Sequence, residues 1–290
     1  MRMHNIVGLN GDPARYVVTG AGSGLGRAMT AGLAQAGALV VAADIDAAAA
    51  EQTQRDAQGP SGRILPYRID LSKPAECYSL IDQMSSQHGG IDVIVNCAGL
   101  NMVLFSRDFL TKPVRFWEVD PNRWQMLYDV NIRAPFLLSR RTAPLMMKQG
   151  WGRIVNVTTS FSTLMREGNT PFGQAKAAFE AASACWAEEL RGSGVTCNVL
   201  LPGGAADTPM IPANSPFDRR KLVPPAAMVP PLLYLTSRDA ETVKGIRILA
   251  ARWSFEDDVP VNLARASAPI AWPALGAEAG PALQGSAPTR

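Results

Sequence analysis

The sequence predicts an α/β protein: a doubly wound parallel sheet of about seven strands with helices on both faces. Three observations carry that expectation. Short apolar runs alternate with longer helical patterns from residue 16 onward. Those runs are apolar at consecutive positions, as in strands buried on both faces. The stretches between them have helical character, which is how parallel neighbours are joined.

The elements follow in order. YVVT (16–19) reads as a buried strand, followed by a glycine-rich turn and a helix through about Ala36. LVVAA (39–43) is a second strand, and an alanine-rich helix runs from about Asp46 to Gln58, ended by the GPSG turn. ILPYRI (64–69) is a third strand, weakened by Pro66. Residues 73–87 form a helix with Pro74 in its first turn, where a missing N–H costs nothing. IDVIVN (91–96) is the fourth strand, and 121–148 reads as one long helix that its prolines can bend. RIVNV (153–157), a helix over 170–191, VTCNVLL (195–201) and GIRILAA (245–251) complete the pattern. Two connections, 100–120 and 203–232, are long, and their apolar residues suit lids over a site. From Val259 the chain is rich in Pro, Ala and Gly without a foldable period. The expected organisation is one dinucleotide-binding domain over 1–258 and an irregular tail over 259–290.

Composition removes several function classes. The chain has 290 residues, 47% hydrophobic and 18% charged, with a net charge of +3 and no basic block, so nucleic acid is not an expected partner. No run reaches about 18 apolar residues and the N-terminus lacks a signal-like apolar stretch, so no membrane association is expected. Cys77, Cys97, Cys185 and Cys197 form no CxxC pair, and they read as reduced thiols of a cytoplasmic protein. Two histidines far apart, His4 and His88, leave no expectation of a metal site.

The first candidate site is Thr19-Gly20-Ala21-Gly22-Ser23-Gly24-Leu25-Gly26, between a strand and a helix. Glycines permit a tight turn and a close backbone approach, and the helix N-terminus presents free N–H groups to a pyrophosphate. Gly20, Ser23, Gly24, Leu25 and Gly26 are the expected contacts. Asp44 ends the second strand 18 residues after Gly26. A carboxylate there accepts hydrogen bonds from ribose hydroxyls and repels a 2′-phosphate, so NAD(H) is preferred and NADP disfavoured. The plain alternative for Asp44 is a helix cap.

With the residues that follow, this pattern resembles the short-chain dehydrogenase/reductase family, in its subclass with a single Rossmann-like domain, over roughly residues 13–251. Asp70 and Leu71 resemble the family's adenine-contacting pair. Asn96-Cys97-Ala98-Gly99 resembles its Asn-Asn-Ala-Gly turn, with Cys97 in place of the second asparagine, and the resemblance implies cofactor contacts at Asn96, Ala98 and Gly99. Asn131 matches the helix asparagine that holds a proton-relay water. Pro202 and Gly203 match the turn after the sixth strand. Thr208 matches the threonine that contacts the carboxamide, although PGGAADTPM is one residue longer than the usual spacing. The resemblance implies hydride transfer between a nicotinamide and an alcohol/carbonyl pair. It places the catalytic serine at Thr159 and the catalytic lysine at Lys176.

The departure lies four residues before Lys176. A tyrosine has a pKa near 10 and needs a neighbouring cation to work near neutral pH; a lysine at i+4 shares its helix face and provides one. Here that position is Phe172, which has no proton to give. Tyr16, Tyr67, Tyr78, Tyr128 and Tyr234 are not followed by lysine at i+4, so no other tyrosine takes the role. Three readings stay open: an oxidoreductase whose proton comes from Thr159, Ser160 or a water held by Lys176; a dinucleotide-binding regulatory protein with little turnover; and an engineered Tyr-to-Phe variant of an active enzyme.

Met102, Val103, Leu104 and Phe105, then Leu164 and Met165, then Met210, Ile211 and Pro212 supply apolar residues to the lids, with Arg166 and Glu167 beside them. They suit an apolar or cyclic carbonyl/alcohol substrate, or simply pack the lids shut. The resemblance also implies a homo-oligomer, tetramer or dimer. The small residues of FEAASACWAEEL suit either helix packing between copies or burial on the sheet.

Overall fold

The computed structural model of the chain describes residue 8, residues 11–57 and residues 62–273. Strand β1 (Arg15–Thr19) leads through α1 (Gly24–Gln35) to β2 (Leu39–Asp44), and α2 (Ala47–Asp56) leads to β3 (Arg63–Arg68). Helix α3 (Pro74–His88) precedes β4 (Val93–Asn96). After the long connection come α4 (Pro121–Tyr128) and α5 (Ala134–Gln149), then β5 (Gly152–Val157), the short α6 (Phe161–Leu164) and α7 (Phe172–Glu189). Strand β6 (Val195–Leu201), α8 (Val229–Leu235), β7 (Ile246–Leu249), α9 (Val259–Ala266) and β8 (Ser267–Pro269) follow.

The strands form one sheet in the order β3-β2-β1-β4-β5-β6-β7-β8, parallel except for the last pair. β4, β5 and β6 are buried at every position, which accounts for the apolar stretches Val93–Val95, Ile154–Val155 and Val199–Leu201 within them. Pro66 lies in β3, the outermost strand on that side, where a missing N–H is tolerated. One core packs Val18, Val40, Val95 and Val155 against α1 and α8; the other packs Val17, Ile94, Ile154 and Cys197 against α3, α5 and α7. Burial of each such side chain contributes about 1.5–3 kcal/mol.

Three expectations change. Among the described residues the sheet has eight strands rather than about seven, and part of the segment expected to be an irregular tail is ordered. Val259, Leu263 and Ala266 form a helical stripe against the core that holds Trp253 and Tyr234, with Pro260 in the first turn of α9. β8 then pairs antiparallel with β7, Ser267 opposite Ile248 and Pro269 opposite Ile246. Eight residues are too few for a periodicity to stand out, and Pro260 reads as a breaker unless it falls at a helix start. The rest of that tail, residues 274–290, lies outside the described residues. Finally, the helix expected over 121–148 is interrupted at Asp129–Arg133, where a π-turn separates α4 from α5. Pro144 sits inside α5 itself. A π-turn widens the backbone spiral by one residue, and such turns recur at functional sites.

Candidate active site

The turns that follow β1, β2, β4, β5 and β6 gather at the C-terminal edge of the sheet, where the strand order reverses between β1 and β4. Open parallel sheets bind ligands at such a point. The first turn is shaped by glycine. Gly20 has φ +69°, and a Cβ there would come 2.9 Å from Ala98 Cα. A Cβ on Gly26 would lie 2.0 Å from Gly20 O, so only glycine lets α1 begin this close to the turn. Thr19 Oγ1 accepts from Cys97 N and Ala98 N, both at 3.0 Å, and joins this turn to the one after β4.

Asp44 is held by two backbone amides: Oδ2 accepts from Gly22 N at 2.7 Å and Oδ1 from Asp46 N at 3.0 Å. Its helix-cap alternative does not apply, because the cap of α2 is Asp46, which accepts from Ala49 N. Ser23 stands exposed at the start of α1, with Leu25 half-buried behind it. Thr208 packs on the same turn, since a Cβ at Gly24 would meet its methyl at 2.9 Å. Asp70 accepts from Ser72 N and Ser72 Oγ, bonds that hold its carboxyl below the usual range, and Leu71 beside it is buried. Pro202 and Gly203 close β6, with Pro202 O accepting from Ala251 N at 2.9 Å. A side-chain-free cradle at a helix N-terminus, with an oriented carboxylate at the next strand end, fits a dinucleotide.

The second cluster surrounds Lys176. Phe172 opens α7, and Lys176 follows one turn later on the same face. Lys176 is 5% exposed, and its Nζ donates to Val157 O at 2.8 Å. Burial pushes its ammonium down to about 8, opposed by Cys97 and Glu180. Asn131 lies in the π-turn, with Oδ1 accepting from Leu100 N at 2.7 Å and Nδ2 donating to Leu100 O at 2.9 Å. Gly99 sits between the two: a Cβ there would be 3.4 Å from Asn131 Oδ1 and 3.6 Å from Lys176 Nζ. Among the described residues, Thr159 Oγ1 makes no hydrogen bond, whereas Ser160 Oγ is paired with Thr163 Oγ1 at 2.8 Å.

Asn96 is placed differently from the expected cofactor contact. Its Nδ2 donates to Asn156 Oδ1 at 2.8 Å and to Ser139 Oγ at 3.1 Å, so its amide points into the layer of α5 and α7 and supports the turn from behind. The lids are tied to one another. Asn101 donates to Met210 O at 2.9 Å, Asn214 to Asp108 at 2.6 Å, and Arg115 pairs with Glu167. Met102, expected in the lid, is wholly buried, whereas Met165 is 82% exposed.

Sequence reasoning missed Arg27, Thr158, Glu180 and Arg247. Arg27 folds back onto Gly22 O and closes the glycine turn. The other three form a buried network under the Thr159 loop. A charged residue inside the buried strand IRIL was the available signal, because such a charge requires a partner. A separate cavity of about 730 Å³ opens at the opposite edge of the sheet, lined by Asp12, Arg15, Arg63, His88 and Asp92. There Arg15 and Asp92 satisfy one another through bonds of 2.8 Å, far from Lys176 and the glycine turn.

The sequence model of the short chain dehydrogenase family matches residues 15–218. The 3-oxoacyl-(acyl-carrier-protein) reductase of Thermotoga maritima is 30% identical over 238 residues, covering 79% of this chain and 92% of that protein. Among solved structures, the 3-ketoacyl-(acyl-carrier-protein) reductase of Brucella melitensis, complexed with NADH, is similar at TM-score 0.70 and 25% identity, covering 81% of this chain and 96% of its own. A metagenomic short-chain oxidoreductase in complex with NADP shares the fold at TM-score 0.67 and 24% identity, over 80% of this chain and 94% of its own. The chain belongs to the short-chain dehydrogenase/reductase family, oxidoreductases that act on alcohol/carbonyl pairs.

Proposed function

We propose that this chain is an NAD(H)-preferring short-chain dehydrogenase/reductase in which proton transfer bypasses the missing phenol. The observation that carries the reading is the frame around Phe172: Lys176 buried on Val157 O, with Asn131 and Gly99 beside it. A nicotinamide dinucleotide supplies or accepts the hydride when bound. Asp44, fixed by two amides, favours ribose hydroxyls over a 2′-phosphate. Thr159 has a free hydroxyl to offer the substrate oxygen, and Lys176 has N–H groups to hold a water or pass a proton. Ser160 is the weaker candidate because Thr163 already engages it.

The lids suit an apolar or cyclic carbonyl compound. No described helix is long and apolar enough to cross a membrane. The four unpaired cysteines support a reducing, cytoplasmic setting, and the exposed apolar side chains Phe136 and Met147 on α5 support a homo-oligomer, tetramer or dimer. Phe172 itself favours a second reading, a dinucleotide-binding regulatory protein with little or no turnover.

The test is Phe172→Tyr against the native chain on a carbonyl panel with NADH. A positioned acid is worth about 10²–10⁴-fold, so the native chain should turn over slowly and the variant faster by that factor. A native chain that reduces nothing beside a vigorous variant refutes the bypass and favours the regulatory reading. Asp44→Ala should shift preference toward NADPH by at least about 10-fold, measured as a ratio of dissociation constants. Failure of the native chain to bind either dinucleotide overturns both readings.

A further inference from the structure

The loop that presents Thr159 is held from behind by residues distant in sequence. Glu180 lies one turn beyond Lys176 on α7 and is fully buried. Its Oε2 accepts from Thr158 Oγ1 at 2.6 Å; its Oε1 accepts from Arg247 Nε at 2.8 Å and from Ala271 N at 3.4 Å. Arg247, also buried, donates from Nη2 to Thr159 O at 3.1 Å. Its guanidinium lies 3.8 Å from the centre of the Phe161 ring, and Phe161 in turn packs on Trp272 at 5.7 Å between ring centres. Ile270 N donates to Gly245 O at 3.0 Å, so the segment after β8 continues along β7 before meeting this cluster.

We propose that the C-terminal segment Ile270–Trp272, acting through the Glu180–Arg247 pair, positions the loop 158–161 so that Thr159 presents its hydroxyl to the cleft. The arrangement divides Thr159 into a held part and a free part. Its carbonyl is fixed by Arg247, and the side chain before it is fixed by Glu180. Its own hydroxyl stays available. Arg247 reaches both Glu180 and Thr159 because guanidinium is a planar fork with separate donors, which a lysine cannot reproduce. Phe161 and Trp272 close one side of that fork with aromatic surface. Glu180, Arg247 and Trp272 are positioning residues; none of them is placed in contact with substrate or dinucleotide. The inference rests on the reading of Thr159 as the hydroxyl that faces the substrate oxygen.

The experiment uses the full chain carrying Trp272→Ala, Arg247→Lys, or Glu180→Gln together with Arg247→Met. The double substitution removes both charges of the pair at once, so neither Glu180 nor Arg247 is left buried without the other. Amide hydrogen exchange is measured over 158–164 and over the glycine turn 19–26, NADH affinity by fluorescence, and kcat in a Phe172→Tyr background. Exchange over 158–164 should rise at least about 10-fold in Trp272→Ala and in the double variant while the glycine turn stays protected. NADH affinity should hold within about 2-fold, and kcat should fall about 10–100-fold through misplacement of the hydroxyl. Arg247→Lys should fall between native and double variant. Unchanged exchange in the loop overturns the proposal, as does faster exchange everywhere or a loosened loop with kcat unchanged. If the Phe172→Tyr background shows no turnover, the enzymatic reading fails, and the exchange pattern alone still decides whether the C-terminal segment holds the loop.

Discussion

Lys176 and Glu180 occupy consecutive turns of α7, both enclosed, and their surroundings differ in a way that separates two kinds of buried charge. Glu180 receives three donors, one each from Thr158, Arg247 and Ala271. Lys176 makes one hydrogen bond among the described residues, to Val157 O, and sits 5.5 Å from the centre of the Phe179 ring. Each oxygen of Glu180 is engaged, so moving its side chain would break bonds to Thr158, Arg247 and Ala271 together. Lys176 keeps spare N–H groups and an ammonium pushed down by burial to about 8, so it can change protonation with little rearrangement. Lys176 is thus a buried charge short of partners, one turn from a buried charge that is fully engaged, and burial shifts its pKa.

The comparison can be broken most decisively at Arg247. Arg247→Met strands Glu180 without its countercharge and should cost about 3–5 kcal/mol, whereas the double variant with Glu180→Gln should recover most of that loss. Urea unfolding of both variants decides it: equal stability of single and double would mean that Glu180 does not depend on the arginine.

The next effect is a pH dependence. The folded pKa of Lys176 is lowered to about 8 from the ordinary lysine value of 10.5, so between those values the unfolded chain binds more protons and stability rises with pH. The burial penalty is fully present below about pH 8 and fades toward pH 10.5, a span worth about 3 kcal/mol. Lys176→Met should abolish that rise, and the difference between native and variant stability measured from pH 7.5 to pH 10 reads it directly. Parallel profiles would show that Lys176 is not buried as a cation.

The smallest expected effect provides the contrast with exposed charge. Arg141 and Asp82 pair at 2.7 Å, but their side chains are 51% and 53% exposed. Arg141→Ala should change stability by less than about 1 kcal/mol. A larger loss would mean that degree of enclosure is not what distinguishes the Glu180 cluster.

Legibility from sequence followed the distance over which each feature is encoded. The glycine turn, Asp44 and the Phe172–Lys176 pair are written within a few residues of one another or of a strand end, and all were readable. The Glu180–Arg247 pair is separated by 67 positions, and nothing near Glu180 announces its partner. The π-turn at Asn131 has no local signature either. It coincides with the place where Asn131 takes up both backbone groups of Leu100, 31 residues away. Helix α9 was lost because its apolar stripe is only three residues deep and its proline reads as a breaker. The direction of the Asn96 side chain follows from strand alternation, since Ile94, two residues before it, faces α5 and α7.

The proline of β3 has a counterpart at the far side of the sheet. Among the described residues, Pro66 interrupts one outermost strand, and the other, β8, is three residues long and ends in Pro269. Unpaired strand rims recruit other chains by zipping backbone to backbone, and proline, which has no N–H, denies such a zipper its teeth. Among the described residues, each outermost strand therefore carries a proline that leaves one backbone position unable to donate to a strand added edge to edge.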